Sequence, residues 1–68
     1  MTTALVPLAQ GCEELEAVTL IDLFRRAGIT VTVAGLEAGP VTASRGVVVV
    51  PETTLDAVLD QNFDLVVL

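Results

Sequence analysis

The stretch that most constrains the fold is Ala4 to Gly28, ALVPLAQGCEELEAVTLIDLFRRAG. It opens with a short apolar run, Ala4 to Leu8, of the length taken by a strand buried on both faces. Pro7 stands near its end, where ladder pairing can stop. Gly11 then breaks the pattern with a residue free to take a positive φ. Glu13, Glu14 and Glu16 crowd the next turn, where carboxylates meet the positive end of a helix dipole. Leu15, Val18, Leu20, Ile21, Leu23, Phe24 and Ala27 follow at spacings of three and four, the pattern of a helix with a broad apolar face. Asp22 and Arg26 stand at i and i+4 and can pair. Arg25 and Arg26 suit the last turn, and Gly28 is a natural stop. Strand, glycine turn and helix in this order are the first half of a βαβ unit.

The rest of the chain supplies strands for that unit to join. Ile29 to Ala34 alternates Val and Thr and predicts a second strand ended by Gly35. A helix lies between the two strands, so they are predicted to be parallel with a right-handed crossover. Glu37-Ala38-Gly39-Pro40 is turn chemistry. Residues 41–44 and 47–50 predict two short strands around Arg45-Gly46, forming a hairpin or a small pair leading away from the main sheet. Thr53-Thr54-Leu55-Asp56 resembles a helix start with a threonine cap, and Leu55, Val58 and Leu59 give it one short apolar face. Residues 63–68, FDLVVL, predict a buried strand. This alternation argues for an α/β layered fold with a mainly parallel sheet. The first strand is expected near its centre, and the Gly11 loop at the carboxyl end, where ligands bind in open α/β sheets.

Composition narrows the function classes. Hydrophobic residues make up 53% of the 68, with two Phe and no Trp or Tyr; this aliphatic, Val-rich excess is that of a buried sheet. Such a sheet needs helices on both faces, and only one substantial helix is evident, so the chain reads as short for its own pattern. Nine acids against three arginines give a net charge of −6. Arg25, Arg26 and Arg45 do not form the basic stripe that nucleic-acid binding requires. One cysteine excludes an internal disulfide framework and fits a reducing compartment. No signal-peptide pattern and no stretch approaching a membrane span is evident. A cytoplasmic α/β domain is the expectation.

Taken alone, few residues point to chemistry. Glu16, one turn into the helix, can face the crevice or be simply a solvated acid in a first turn. Glu13 and Glu14 fit the solvated reading better. The three acids do not make a metal site without histidine or a further ligand at a recognisable spacing. Cys12 precedes a helix start, where thiolates are stabilised, yet no histidine serves as its base and a small buried hydrophobe accounts for it as well. Gly11 lacks the further glycines and the Gly-Lys-Ser/Thr run of a phosphate loop.

Three segments, residues 4–36, VTASRGVVVVPETTLDAV and FDLVVL, resemble in order and spacing the amino-terminal part of the ThiJ/PfpI superfamily. The similarity is to the branch of the Parkinson-disease-associated protein deglycase and its bacterial YajL-like relatives. It implies a flavodoxin-like three-layer α/β sandwich, a homodimer, and a nucleophilic cysteine on a strained strand-to-helix turn, with no cofactor and no metal. The activities it implies are glyoxalase or protein deglycase action on methylglyoxal-type aldehydes and glycation adducts, with oxidative-stress protection. The alternative is a redox-sensing or chaperone-like protein without significant turnover. By the same resemblance Glu16 matches the glutamate set against the cysteine sulfur, and Gly11 the loop glycine before it. Asp22, Arg26 and Arg45 match positions at or near the dimer contact beside the site. Cys12 does not match the nucleophile, which lies farther along. The family's strand at 63–68 runs on into a Pro-Gly-Gly turn, and later strands bring the cysteine and its histidine. Residues 1–68 are therefore expected to be the amino-terminal segment of one domain, interrupted within strand 63–68. Its carboxyl-terminal part is the expected partner, as a separate chain or otherwise, and the segment alone is expected to be inactive.

Overall fold

The computed structural model describes all 68 residues. In chain order they form β1 (Thr3–Leu8), α1 (Glu14–Arg26), β2 (Thr30–Gly35), β3 (Val41–Thr42), β4 (Val48–Val49), β5 (Thr53–Thr54), one turn of 3-10 helix (Asp56–Val58) and β6 (Leu65–Val66). The main sheet has the order β5-β2-β1-β6 with every neighbour parallel. β1 and β2 pair without interruption from Thr3 opposite Thr30 to Leu8 opposite Gly35. β3 and β4 form a separate antiparallel pair, the small pair foreseen around Arg45-Gly46.

Side-chain alternation along β1 creates two cores. Successive residues of a strand point to opposite faces. Ala4, Val6 and Leu8 therefore face one side, where they join Val31, Val33 and Val41 in the larger buried cluster, and Ala17, Ile21 and Phe24 of α1 pack against it. Leu5 faces the other side with Ala34 and Val58, flanked by Leu55 and Phe63. The result is an α/β structure in three layers: α1, the parallel sheet, and the 3-10 turn with its flanking coil. No helix is long and apolar enough to cross a membrane.

Four elements differ from expectation. Thr53 and Thr54 do not cap a helix but extend the sheet, pairing with Ala34 and Gly35. The helix expected after them is a single 3-10 turn whose cap residue, Leu55, is itself in helical conformation without a side-chain cap bond. Threonine is β-branched and suits a strand beside the end of β2, and the Leu55 N–H that follows continues this edge by donating to Gly35 O at 2.8 Å. The strands expected over 41–44 and 47–50 narrow to Val41–Thr42 and Val48–Val49, with Val47 and Val50 exposed. FDLVVL pairs only through Leu65 and Val66, and both are exposed. β6 has β1 on one side and no neighbour on the other, so little apolar surface covers it.

The broad apolar face of α1 is only partly used. None of its residues is fully buried, and Leu15, Val18 and Leu23 are more than half exposed. Its carboxyl end is closed more firmly. Gly28 takes φ +84°, letting its N–H reach Arg25 O and the Ile29 N–H reach Phe24 O at 3.1 and 3.0 Å, the paired bonds of a Schellman stop. Phe24 and Ile29 both pack on the larger core. Arg25 then ties this end to the sheet, donating to Val31 O at 3.1 Å and to Glu52 Oε1 at 2.8 Å, while the same Glu52 oxygen accepts the Val33 N–H at 3.0 Å.

Gly28→Ala is expected to lower stability by about 1–2 kcal/mol, the cost of a side chain in the left-handed region. Nothing lies within 4 Å of the added methyl, so the loss is conformational. Gly28→Asn should lose less, as chemical unfolding of the three proteins will show.

Candidate functional site

Where β1 ends and α1 begins, the carboxyl edge of the sheet opens into a cavity of about 150 Å³. Its walls are mostly apolar: Val6, Pro7 and Leu8 from β1, Ala17 and Leu20 from α1, and Val67 and Leu68 beyond β6. Cys12, Glu13 and Glu16 supply its polar lining.

The turn carrying these groups is held by the β3 segment rather than by its own caps. Gly11 takes φ +82° and donates its N–H to Thr42 O at 2.8 Å. Gln10 brackets the same segment, accepting the Thr42 N–H at 2.9 Å and donating to Pro40 O at 3.1 Å. The Ser44 N–H reaches Cys12 O at 2.8 Å. Glu13, at the helix N-cap, makes no side-chain cap bond. Glu14 carries the strongest tie: its carboxylate accepts the Ser44 hydroxyl at 2.8 Å, and the Arg45 N–H lies 3.2 and 3.0 Å from its two oxygens. Desolvation alone raises the Glu14 pKa. The Ser44 hydroxyl and the backbone N–H groups of Glu14, Arg45 and Val47 outweigh it and hold the carboxyl below its ordinary 4.5.

The residues singled out from the sequence divide into two groups. Glu16 lines the cavity at the first turn of α1, and Gly11 shapes the turn before it. Arg45 is brought to the same end of the helix through its backbone, while its guanidinium joins neither ion pair of the chain. Asp22 and Arg26 do pair, at 2.9 Å, on an exposed part of α1. At 1.5 Å per residue they lie about 9 and 15 Å along the axis from Glu16, away from the cavity. Cys12 is a half-buried free thiol that both packs against the larger core and lines the cavity. No group of three or more His, Cys, Asp or Glu side chains is placed to hold a metal ion. Sequence reasoning missed Glu14, Gln10 and Ser44. Only the distance of 30 or more positions between turn and hairpin hides their pairing, since each is an ordinary turn or helix-start residue locally.

A strand, a glycine turn and an acidic helix start around a small cavity set the terms for comparison with known proteins. The model of the DJ-1/PfpI family matches residues 2–68. The chain belongs to the DJ-1/PfpI family. It is 52% identical to Protein dj-1beta of Drosophila melanogaster over 67 residues, covering 97% of this chain and 36% of that protein. It is 30% identical over 59 residues to the glutathione-independent glyoxalase DJR-1.2 of Caenorhabditis elegans, covering 87% of this chain and 32% of the relative. The solved structure of oxidized Toxoplasma gondii DJ-1 superimposes with a TM-score of 0.94 at 42% identity, over 97% of this chain and 36% of that one. The chain thus spans about a third of the length of these DJ-1/PfpI proteins, and the sheet, α1 and the β3–β4 pair are the shared framework.

The depressed Glu14 pKa makes the hairpin tie acid-sensitive. A carboxyl with a folded pKa below its unfolded value contributes stability that is complete above about 4.5 and is lost as pH falls through the lower folded value. Amide exchange of Arg45, corrected for its intrinsic pH dependence, should therefore be slow and constant at neutral pH and accelerate only below that range. Glu14→Gln should abolish this acid step.

Proposed function

We propose that this chain is the amino-terminal part of a cofactor-independent, cysteine-dependent glyoxalase or protein deglycase acting on methylglyoxal-type aldehydes or glycation adducts. One observation carries the reading: Glu16 stands on the first turn of α1 and lines a small, mostly apolar cavity at the carboxyl end of β1. A relative named as a glutathione-independent glyoxalase supports the choice of chemistry.

In this reading the rest of the domain brings a cysteine thiolate to the cavity. A protonated Glu16 carboxyl donates to the sulfur and favours its charged form. The thiolate adds to the aldehyde carbon of a 2-oxoaldehyde, and the new oxyanion takes a proton. The aldehyde hydrogen leaves as a proton and returns to the neighbouring carbon, converting the adduct into a thioester of the 2-hydroxy acid. Water then cleaves the thioester, restoring the thiol. Atoms and electrons balance with water as the only co-reactant. Glu16 is suited to hold and return the protons.

The same reading sets Asp22, Arg26 and Arg45 at or near a homodimer contact, in a protein working in the cytoplasm. Leu15, Val18, Asp22 and Arg26 follow at spacings of three and four, which aligns two exposed apolar residues with the ion pair on one stripe of α1. A second reading, a redox-sensing or chaperone-like protein without significant turnover, draws support from those exposed apolar residues and from the oxidized state of the Toxoplasma gondii relative.

Glu16→Gln and Glu16→Ala in the complete protein are expected to lower methylglyoxal turnover by about 10²- to 10⁴-fold, the usual contribution of a positioned proton-transfer group. Turnover unchanged in both variants would sink the enzymatic reading. Suppression of client aggregation by a parent protein that leaves methylglyoxal untouched would favour the second.

A further inference from the structure

The first turn of α1 must hold Glu16 toward the cavity, yet it has no side-chain cap of its own. Helix geometry shows what replaces the cap. At 3.6 residues per turn, residues two apart project about 200° apart around the axis, so Glu14 and Glu16 leave the same turn on opposite sides. Glu16 lines the cavity. Glu14 is fixed from the other side by the Ser44 hydroxyl at 2.8 Å and the Arg45 N–H at 3.0 and 3.2 Å. Glu13 does not compete equally for Ser44. Its Oε2 is 3.3 Å from the hydroxyl oxygen, and a hydroxyl has one proton to donate.

The anchor on the hairpin side is itself tied to the body of the fold. Ser44 N–H donates to Cys12 O, Gly11 N–H to Thr42 O, and Ala43 N–H to Val47 O, each at 2.8 Å. Val41 and Ala43 are buried, and Val41 belongs to the same core cluster as Val6 and Leu8 of β1. The turn holding Glu14 is therefore bonded to the loop before α1 and packed on the strand below it. We propose that Glu14 is a positioning residue: its carboxylate, gripped by Ser44 and Arg45, acts as an external cap that fixes the rotation of the first turn of α1 and so sets Glu16 in the cavity. This rests on the reading of Glu16 given above. It predicts that loosening residues 44–45 disturbs the cavity carboxylate from the opposite side of the helix, without any contact between them.

The experiment compares the complete parent protein with Glu14→Ala, Glu14→Gln, Glu14→Asp, Ser44→Ala and Glu16→Gln. Amide exchange is read at Arg45, at Ala17, whose N–H makes the first helical bond to Glu13 O at 2.9 Å, and at Leu23 in mid-helix. Methylglyoxal kcat and KM are read at neutral pH. Glu14→Ala should speed exchange at Arg45 and Ala17 at least tenfold, leave Leu23 unchanged, and lower kcat by about 10- to 100-fold, the scale of an ångström-sized misplacement. KM should stay within about threefold. Ser44→Ala, which keeps every charge, should move the same readouts in the same direction by less. Glu14→Gln should recover part of the loss, since one amide oxygen still accepts, and Glu14→Asp should not, its carboxylate falling one methylene short. Unchanged Ala17 exchange in Glu14→Ala overturns the proposal, as does faster exchange with full kcat. Loss of kcat in Glu16→Gln with undisturbed Arg45 and Ala17 exchange separates the two roles and supports it. A parent without turnover, or a fully active Glu16→Gln, defeats the reading of Glu16 instead; Ala17 exchange then still decides whether Glu14 fixes the turn.

Discussion

Everything in this molecule depends on β1 being paired along both edges. Its six residues are matched one for one with β2 on one side and meet β6 on the other. Four of the ten buried apolar residues, Ala4, Leu5, Val6 and Leu8, come from this one strand. Pairing satisfies the backbone, and alternation then divides the side chains between two apolar clusters. A polar residue at any of these four positions would sit in a core with no partner. The acidic turn, the cavity and the docked hairpin all hang from the carboxyl end of that strand.

The site is therefore built from three pieces of different character. β1 contributes a rigid floor. α1 contributes Glu16 from its first turn. The β3–β4 pair contributes no lining residue, yet bonds to the loop before α1 through Gly11, Cys12 and Gln10 and to the helix through Glu14. Its contribution lies in geometry. Arg25 and Glu52 play a comparable part at the far end of α1, where one carboxylate oxygen serves both a guanidinium and a strand N–H. Both ends of the helix are thus tied to other elements, while its middle rests on the sheet through Ala17, Ile21 and Phe24.

What the sequence revealed follows from how local each signal is. β1, α1 and β2 were legible because strand composition, helical spacing and the glycine stop at Gly28 all agree within a few residues. The Asp22–Arg26 pair was legible for the same reason. Thr53-Thr54 misled because threonine serves both as a helix cap and as a strand residue, and the decision came from the end of β2, nineteen residues earlier. FDLVVL misled in degree: a strand forms at Leu65 and Val66, but burial requires neighbours that sequence pattern does not count. Glu16, which lines the cavity, stands out in the sequence only through family resemblance and its place after the glycine turn. Glu14 was read as one more carboxylate at a helix dipole, because its partners lie across a 30-residue separation that no periodicity marks.

The register of the sheet also sets two very different loop lengths for the edges of β1. Thr3 faces Thr30, so β1 and β2 are joined by a modest loop that is mostly helix, whereas Ala4 must wait for Leu65. Closing the shorter loop costs less entropy and its residues leave the ribosome first. The β1–α1–β2 contacts are thus the cheaper ones to close, and without β6 they leave one edge of β1 bare. That edge carries a row of backbone N–H and C=O groups beside Leu5 that β6 pairs. The hydrogen bonds between Thr3 and Asp64, which join backbone and side chain in both directions, mark where that exposure ends. They hold β6 at the amino end of β1, one residue before its paired Leu65 and Val66.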